Sequence, residues 1–173
     1  FYFMVGLPQT FDGDEAEAIA AFIRRVRART GMDLNVNIGT FVPKPHTPFQ
    51  WARQLGEKEA LERINQIRRS VGRGGAHIGY QAPFLSFMEG VIARGDDRVA
   101  ALVEEAFHRG ARLDAWDEYQ NWDLWRGVYA QAGWDVEAEL KRGRGQEEAL
   151  PWDGVSLGVA RAFLSREWQR AET

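Results

Sequence analysis

The sequence predicts an α/β fold in which strands and helices alternate over residues 1–80 and helices alone occupy residues 81–173. Between two strand-like runs lies a stretch of about 18 residues whose apolar positions recur at helical spacing. Beyond residue 80 this alternation stops, and short amphipathic stretches separated by glycines take its place. A strand–helix–strand order implies parallel strands joined by a right-handed crossover.

The first unit begins with a short apolar strand. Residues 1–5 are aromatic, β-branched or otherwise apolar, which predicts a parallel strand buried on both faces, and Gly6 ends the pattern. Asp12 and Asp14 are candidate N-caps of the helix that follows, because a short carboxylate accepts hydrogen bonds from the free N–H groups of a first turn. Gly31 is expected to end that helix.

Three further elements are predicted before residue 80. Alternating polar and apolar residues indicate a second strand over residues 34–42. A helix is predicted over residues 57–71, and residues 76–80 can form a third, short strand. The segment 43–48 contains three prolines and is therefore expected to be a rigid loop.

The helical half is predicted from caps and apolar spacing. Ser86 and Glu89 have the spacing of a capping box, so a helix is expected to start there, and Gly95 is expected to end it. Ser156 is a candidate cap of the final helix. One apolar helix face is expected to contain Val99, Leu102, Val103, Ala106 and Phe107. Core or interface positions are expected for Trp116, Trp122, Trp125, Trp134, Trp152 and Trp168.

Composition and charge restrict the function. The 173 residues carry a formal net charge of −3 and include no cysteine. The chain therefore cannot form a disulfide, ligate an iron–sulfur cluster through its own thiolates or use a cysteine nucleophile. No apolar run is long enough for a membrane span, and the net charge disfavours a nucleic-acid partner without excluding one. The histidines are too widely spaced to suggest a zinc site.

Two strand ends are the candidate functional region. Gly6 follows the first strand directly, and Lys44 and His46 lie in the proline-rich loop after the second. Ligands of α/β folds bind at the carboxyl ends of strands, so these segments can form one wall of a pocket in which Lys44 or His46 meets an anion or a substrate. The alternative is structural: Gly6 serves a turn, Lys44 is solvated, and His46 caps a turn.

Several segments resemble a known enzyme family. They are residues 2–8, 36–51, 84–98, 114–116 and 150–153. The most specific are Phe-Val-Pro-Lys-Pro-His-Thr-Pro-Phe at residues 41–49 and Ala-Arg-Gly-Asp at residues 93–96. Together they resemble the later half of the radical SAM proteins that carry an N-terminal cobalamin-binding-type domain and lack an agreed substrate.

The resemblance implies the C-terminal portion of a partial (β/α)6 barrel, similar to a TIM barrel, followed by a helical extension. In that family three cysteines hold a [4Fe–4S] cluster, which binds S-adenosylmethionine (SAM) and cleaves it to a 5′-deoxyadenosyl radical. Because this chain has no cysteine, we expect a fragment that starts at the fifth barrel strand. The cluster ligands are then expected upstream in the same polypeptide, and cobalamin is a further candidate cofactor.

The resemblance also implies a SAM-binding wall. In the family the fifth strand passes along the adenine, with an apolar residue two before a glycine, which corresponds to Met4 and Gly6. The end of the sixth strand meets the adenine edge through backbone groups. Many relatives have Gly-Glu-Thr after the proline, whereas Gln9-Thr10-Phe11 stands here. The expected cofactor-binding residues are Met4, Val5, Gly6, Leu7, Pro8, Phe41, Val42 and Pro43, with Lys44 and His46 as candidate substrate contacts.

Two functions follow from these patterns. The first is a part of a cytoplasmic radical SAM iron–sulfur enzyme, not catalytic by itself, which supplies a portion of the SAM wall and closes the substrate side of the barrel. The second is a non-enzymatic, tryptophan-rich helical module that binds a protein or RNA partner, although the net charge disfavours RNA. No membrane partner is expected. A hydrolase on the same scaffold lacks a visible nucleophile–base pair.

Overall fold

A computed structural model of the chain describes residues 1–10, 13–72, 74–114 and 116–172. Within these ranges the fold is α/β, and no helix is long and apolar enough to cross a membrane. The strands are β1 (Tyr2–Val5), β2 (Leu34–Thr40) and β3 (Ala76–Tyr80). The helices are α1 (Glu15–Thr30), α2 (Glu57–Val71), α3 (Pro83–Arg94), α4 (Arg98–His108), α5 (Trp122–Ala130), α6 (Val136–Lys141) and α7 (Arg161–Glu172).

The three strands form one sheet in the order β1-β2-β3, and both pairs are parallel. Val5 lies opposite Thr40, and Leu34 lies opposite Ala76. The helices α1 and α2 are the crossovers between consecutive strands, as the strand–helix–strand order predicts. The sheet formed by the described strands is open and is not a closed barrel.

The ends of α1 follow from its capping residues. Asp14 accepts a hydrogen bond from Glu17 N–H at 3.1 Å, and the N–H of Gly31 donates to Arg27 O at 2.9 Å. Gly31 has a φ of 65°, a left-handed conformation that favours glycine. The predicted roles of Asp14 and Gly31 are thus confirmed, while Asp12, the other candidate cap, lies outside the described residues.

The first hydrophobic core lies between the sheet and a layer formed by α1 and α2. Ile23 of α1, Ile38 of β2 and Ile64 of α2 are completely buried in it. Each helix contributes residues three or four positions apart, which is the spacing of one helical face. The other buried members are Val5, Ala16, Ile19, Ala20, Leu34, Val36, Leu55, Ala60, Ile67 and Val71.

No core formed by the described residues covers the opposite face of the sheet. Its exposed side chains are Tyr2, Met4, Asn35, Asn37 and His77, which alternate with the core residues. The prediction that β1 is buried on both faces is therefore wrong, because helices cover only the face that carries Phe3 and Val5. Parallel sheets are usually covered on both faces, so this uncovered face is free for further contacts.

The second hydrophobic core is helical and lies within residues 84–140, beyond the predicted boundary at residue 80. It is built from α3, α4, α5 and α6. The first of these begins at Pro83 and not at Ser86, because proline is well suited to a first helical turn. Ser86 is instead buried within α3, where its carbonyl accepts a hydrogen bond from Gln54 Nε2 at 2.7 Å.

The tail differs from the sequence prediction in further details. Val103 and Phe107 are exposed, so the buried face of α4 is narrower than predicted. The final helix begins at Arg161, five residues beyond the predicted cap Ser156. Trp116 and Trp122 are exposed and do not occupy the core. The other tryptophans of the tail are buried or partly buried: Trp125, Trp134, Trp152 and Trp168.

A third cluster joins the C-terminal residues to the segment that follows β2. Trp51 and Trp152 are buried in this cluster together with Leu150 and Leu164, and Trp168 packs against them. The Trp152 Nε1–H also donates to Gln50 Oε1 at 2.8 Å. As a result, α7 lies beside the short 3₁₀ turns Pro8–Thr10 and Pro48–Trp51, which follow β1 and β2.

We expect Ile64→Ala to lower the free energy of unfolding by about 2–5 kcal/mol, since it leaves a cavity in the first core. The side chain of Ile64 is completely buried. The matched control is Leu61→Ala on the exposed side of the same helix, which is expected to cost less than about 1 kcal/mol. Urea denaturation followed by circular dichroism measures both values, and equal losses would contradict the described orientation of α2.

Candidate functional site

The carboxyl ends of β1 and β2 lie side by side. The Phe41 N–H donates to Val5 O at 2.9 Å, directly beyond the last paired residues of the two strands. Residues 6–8 and 41–43 therefore start from adjacent points on the same edge of the sheet. This is the edge at which open α/β sheets bind ligands, and it contains both segments from which the sequence predicts a ligand wall.

Gly6 is required by its conformation and by its packing. It has a φ of 86°, which favours glycine. A Cβ atom at this position would lie 2.6 Å from the Leu55 Cδ1 atom, so even alanine would displace a core side chain. Close approach of the protein's own Leu55 thus accounts for the glycine, in agreement with the structural alternative of a turn.

Glu15, the first residue of α1, is buried beneath the loop that follows β1. The Gly6 N–H donates to its carboxylate, at 2.9 and 3.1 Å from the two oxygens, and the Thr10 hydroxyl lies 2.5 Å from Oε1. Arg63 of α2 donates to Oε2 at 2.8 Å. Such charge-assisted hydrogen bonds fix the loop, and they leave the Gly6 N–H engaged within the protein.

Sequence reasoning did not single out Glu15, although the chain contained a signal. Glu15, Ile19 and Ile23 are spaced four residues apart and lie on the same face of α1. A carboxylate in line with core isoleucines needs a buried partner, because an unpaired buried charge is strongly destabilising. Arg63 is that partner, and its position 48 residues later gives no local pattern that pairs the two.

The loop after β2 is built around His46 and Gln50. His46 has a φ of 58°, and its N–H donates to Gln50 Oε1 at 3.1 Å. The Thr47 hydroxyl donates to Lys44 O at 2.8 Å, which closes the same turn. Histidine is one of the residue types that adopt a left-handed conformation more readily, so this geometry favours a turn-forming role for His46.

Lys44 forms an ion pair with Glu89 of α3, and both side chains are about half exposed. An exposed ion pair of this kind contributes little to stability and is readily broken. The Lys44 ammonium group can therefore exchange Glu89 for a substrate anion at a small energetic cost. Lys44 remains a candidate for substrate contact on that ground.

Aromatic rings connect the loop after β2 with the C-terminal helix. The rings of Phe41 and Phe49 meet edge to face with their centroids 5.5 Å apart. The rings of Phe49 and Trp168 do the same at 5.9 Å. Offset and edge-to-face ring contacts stabilise such packing beyond its buried area. The loop thus continues directly from β2 and packs against α7 through these rings.

Two groups at the strand ends are free to meet a ligand. The Met4 side chain is 42% exposed on the uncovered face of the sheet. The Val42 N–H donates no hydrogen bond to any of the described residues. By contrast, the side chains of Val5 and Pro43 are both completely buried, so these two residues can contribute only backbone atoms. Leu7 and Pro8 are partly buried.

The groups at the two strand ends are suited to binding an organic ligand. Among the described residues, no cluster of three or more histidine, cysteine, aspartate or glutamate side chains can hold a metal ion. The chain also has no cysteine, so its own residues do not fit an iron–sulfur cluster. What the two strand ends can do is bind and orient a ligand through apolar contact and backbone hydrogen bonds.

Comparison with known proteins identifies no relative. No protein-family model, curated protein or solved structure matches this chain. The chemistry of the strand ends and the architecture around them are therefore the basis for assigning a function.

Replacing Glu15 is expected to loosen the loop after β1. Glu15→Gln removes the charge that Gly6, Thr10 and Arg63 share, and we expect it to lower the free energy of unfolding by about 2 kcal/mol. The matched control is Glu17→Gln in the same helical turn, where the carboxylate is exposed and binds Arg24. The control should leave the urea midpoint almost unchanged, and equal midpoints for the two variants would rule out the buried network.

Proposed function

We propose that this chain forms part of the SAM-binding wall of a radical SAM iron–sulfur enzyme. The observation that carries the proposal is the pairing of two strand ends, residues 4–8 and 41–43, at one edge of a parallel sheet. These are the segments in which the sequence resembles the family. The proposal adds that the open sheet is the later part of a partial (β/α)6 barrel.

The uncovered face of the sheet supports this assignment. In a barrel, one face of each strand is covered by helices and the other lines the interior. Here α1 and α2 cover one face, while Met4, Asn35 and Asn37 lie on the other. These side chains are short, polar or flexible, which suits the lining of a ligand cavity better than a dry core.

The chemistry of adenine matches the groups at the two strand ends. Adenine has a flat apolar face and an edge that offers both a hydrogen-bond donor and acceptors. An exposed thioether such as Met4 can pack on the face, since methionine adapts to flat aromatic surfaces. The Val42 N–H, without a partner among the described residues, can donate to an acceptor on the edge.

The role of such a wall is orientation. In this assignment SAM and the cluster together supply the deoxyadenosyl radical when bound, and the cluster ligands belong to another part of the polypeptide. Residues of this chain hold the adenosine so that one substrate hydrogen is within reach, and positioning of this kind contributes a large part of catalysis. The aromatic contacts of Phe49 and Trp168 hold the second strand end in place.

One observation favours the alternative function, a module that binds a protein partner. Leu113, Trp116 and Tyr119 are exposed in the short segment before α5, and Trp122, the first residue of that helix, is exposed as well. Exposed aromatic residues close together are typical of protein-binding surfaces. The two functions are compatible, because these residues belong to the tail and not to the strand ends.

The proposed function predicts iron and SAM cleavage in the full-length polypeptide. After anaerobic purification we expect about four irons per chain, and 5′-deoxyadenosine on reduction with SAM present. Met4→Ala is expected to raise the KM for SAM about tenfold, since it removes an apolar contact. The control Met32→Ala changes a more exposed methionine (62% against 42%) just before the amino end of β2 and should leave the KM unchanged.

The outcomes separate the alternatives. A polypeptide without iron and without deoxyadenosine formation contradicts the enzyme and leaves the binding module as the better assignment. Iron and SAM cleavage with equal KM values for Met4→Ala and Met32→Ala would retain the enzyme and reject the predicted adenine contact.

A further inference from the structure

A small cavity lies between α3 and α6, away from the strand ends. Its volume is about 10 Å³, which is about the smallest space that holds a single water molecule or a monatomic ion of similar size. Two arginines, Arg94 and Arg144, line it together with Glu139. The apolar part of the lining is Gly90, Val91, Gly95, Trp134, Val136 and Leu140.

Arg94 is a buried cation whose partners are neutral. It is only 2% exposed, and its guanidinium donates to Ala52 O at 2.8 Å and to Leu140 O at 3.4 Å. No carboxylate among the described residues forms an ion pair or a hydrogen bond with it. Its Nε–H is buried without a hydrogen-bond partner. A buried donor in this state has lost its hydration without replacement.

Arg144 lines the same cavity and is in a similar state. Its side chain is 5% exposed, and its Nη2 donates to Arg94 O and to Glu139 Oε1, both at 3.2 Å. Its Nε–H is also buried without a partner. Two buried guanidinium groups with unsatisfied N–H donors thus border one small space.

The charges around the cavity do not cancel. Arg142 pairs with Glu139 at 2.9 Å and with Glu148 at 2.7 Å, and Arg144 pairs with the same carboxylates at 3.2 and 3.7 Å, so two arginines share both carboxylates and neither carboxylate pairs with Arg94. The formal charges of this group sum to +1, because three arginines (Arg94, Arg142 and Arg144) face two glutamates (Glu139 and Glu148). Burial, together with repulsion from Arg144 and Arg142, lowers the pKa of Arg94 to about 10, which still leaves it charged at neutral pH.

The next charged residues do not supply the missing anion. Asp96 is the nearest further carboxylate that acts on Arg144, and Arg98 binds it through both carboxylate oxygens at 2.8–3.0 Å. The charges of Asp96 and Arg98 cancel each other. Asp97 also acts on Arg98, but among the described residues it forms no ion pair with Arg94 or Arg144. The excess positive charge beside the cavity therefore remains.

We propose that this cavity is a binding site for a small monovalent anion, such as chloride, between Arg94 and Arg144. The space admits one small ion, whereas phosphate or a carboxylate side chain is larger. The two unsatisfied N–H donors provide the hydrogen bonds that a halide accepts, and one negative charge balances the local excess. Glu139 does not prevent binding, because Arg142 and Arg144 already neutralise its carboxylate. The site acts on stability and is independent of the proposed SAM function.

Thermal unfolding of the 173-residue chain at constant ionic strength tests this site, with chloride replaced stepwise by the larger anion gluconate. We expect the melting temperature to rise by about 3–5 °C for every tenfold increase in chloride above its dissociation constant. A crystal grown in bromide should show an anomalous peak within about 3.5 Å of nitrogen atoms of both guanidinium groups.

Matched variants separate a specific site from a general salt effect. Arg144→Gln should lose the dependence on chloride, while Arg109→Gln, which removes an equal charge from an ion pair on the surface of α4, should retain it. Equal melting temperatures in chloride and gluconate overturn the proposal. So does an anomalous map of the unaltered chain without a peak in the cavity, a result that does not depend on whether Arg144→Gln folds.

Discussion

The structure depends on the hydrogen bonds that the backbone carbonyl groups after β2 accept once this segment is buried. Residues 50–55 leave the sheet edge and pass beneath the helical tail, where their carbonyl groups lose water and require donors. Arg94 donates to the carbonyl of Ala52 and, at a longer distance, to that of Gln50, while the side chain of Gln54 donates to the Ser86 carbonyl of α3. Trp51 of this segment belongs to the third core and Leu55 to the first, and Gln54 bonds to α3, so the segment connects the sheet layer with the helical tail.

The same solution recurs at the other strand end. Glu15 accepts hydrogen bonds from the loop after β1, and Arg94 donates hydrogen bonds to the segment after β2. Each of these charged residues lies on an apolar face of its helix. Loops at the carboxyl ends of strands expose many backbone groups, and long charged side chains from neighbouring helices can reach them. Rigid strand ends are the result, and a rigid edge suits a surface that has to orient a ligand.

The regular part of the fold could be predicted because its signals are local. Asp14, Gly31 and the alternation in β2 act through neighbouring residues, and the structure places them as predicted, although β2 ends at Thr40 and not at residue 42. The buried hydrogen bonds of Glu15 and Arg94 were not predicted, because the partners of these residues lie far away in the sequence. The one local signal was a charged residue at a position with the spacing of core residues. The start of α3 predicted from Ser86 was wrong, because the helix already begins at Pro83. The uncovered face of β1 was also missed, since an apolar strand alone does not show which of its faces a helix covers.

The hydrogen bond between Trp152 and Gln50 has a consequence for the order of folding. It joins residues 102 positions apart, whereas the helical contacts of α3 to α6 and the crossover contacts of the sheet involve shorter loops. Long loops close at a greater entropic cost and more slowly, so the third cluster is expected to assemble last. Until Trp152 has left the ribosome, Gln50 has no indole to bind, so the second strand end reaches its final form only after at least 102 further residues have been synthesised.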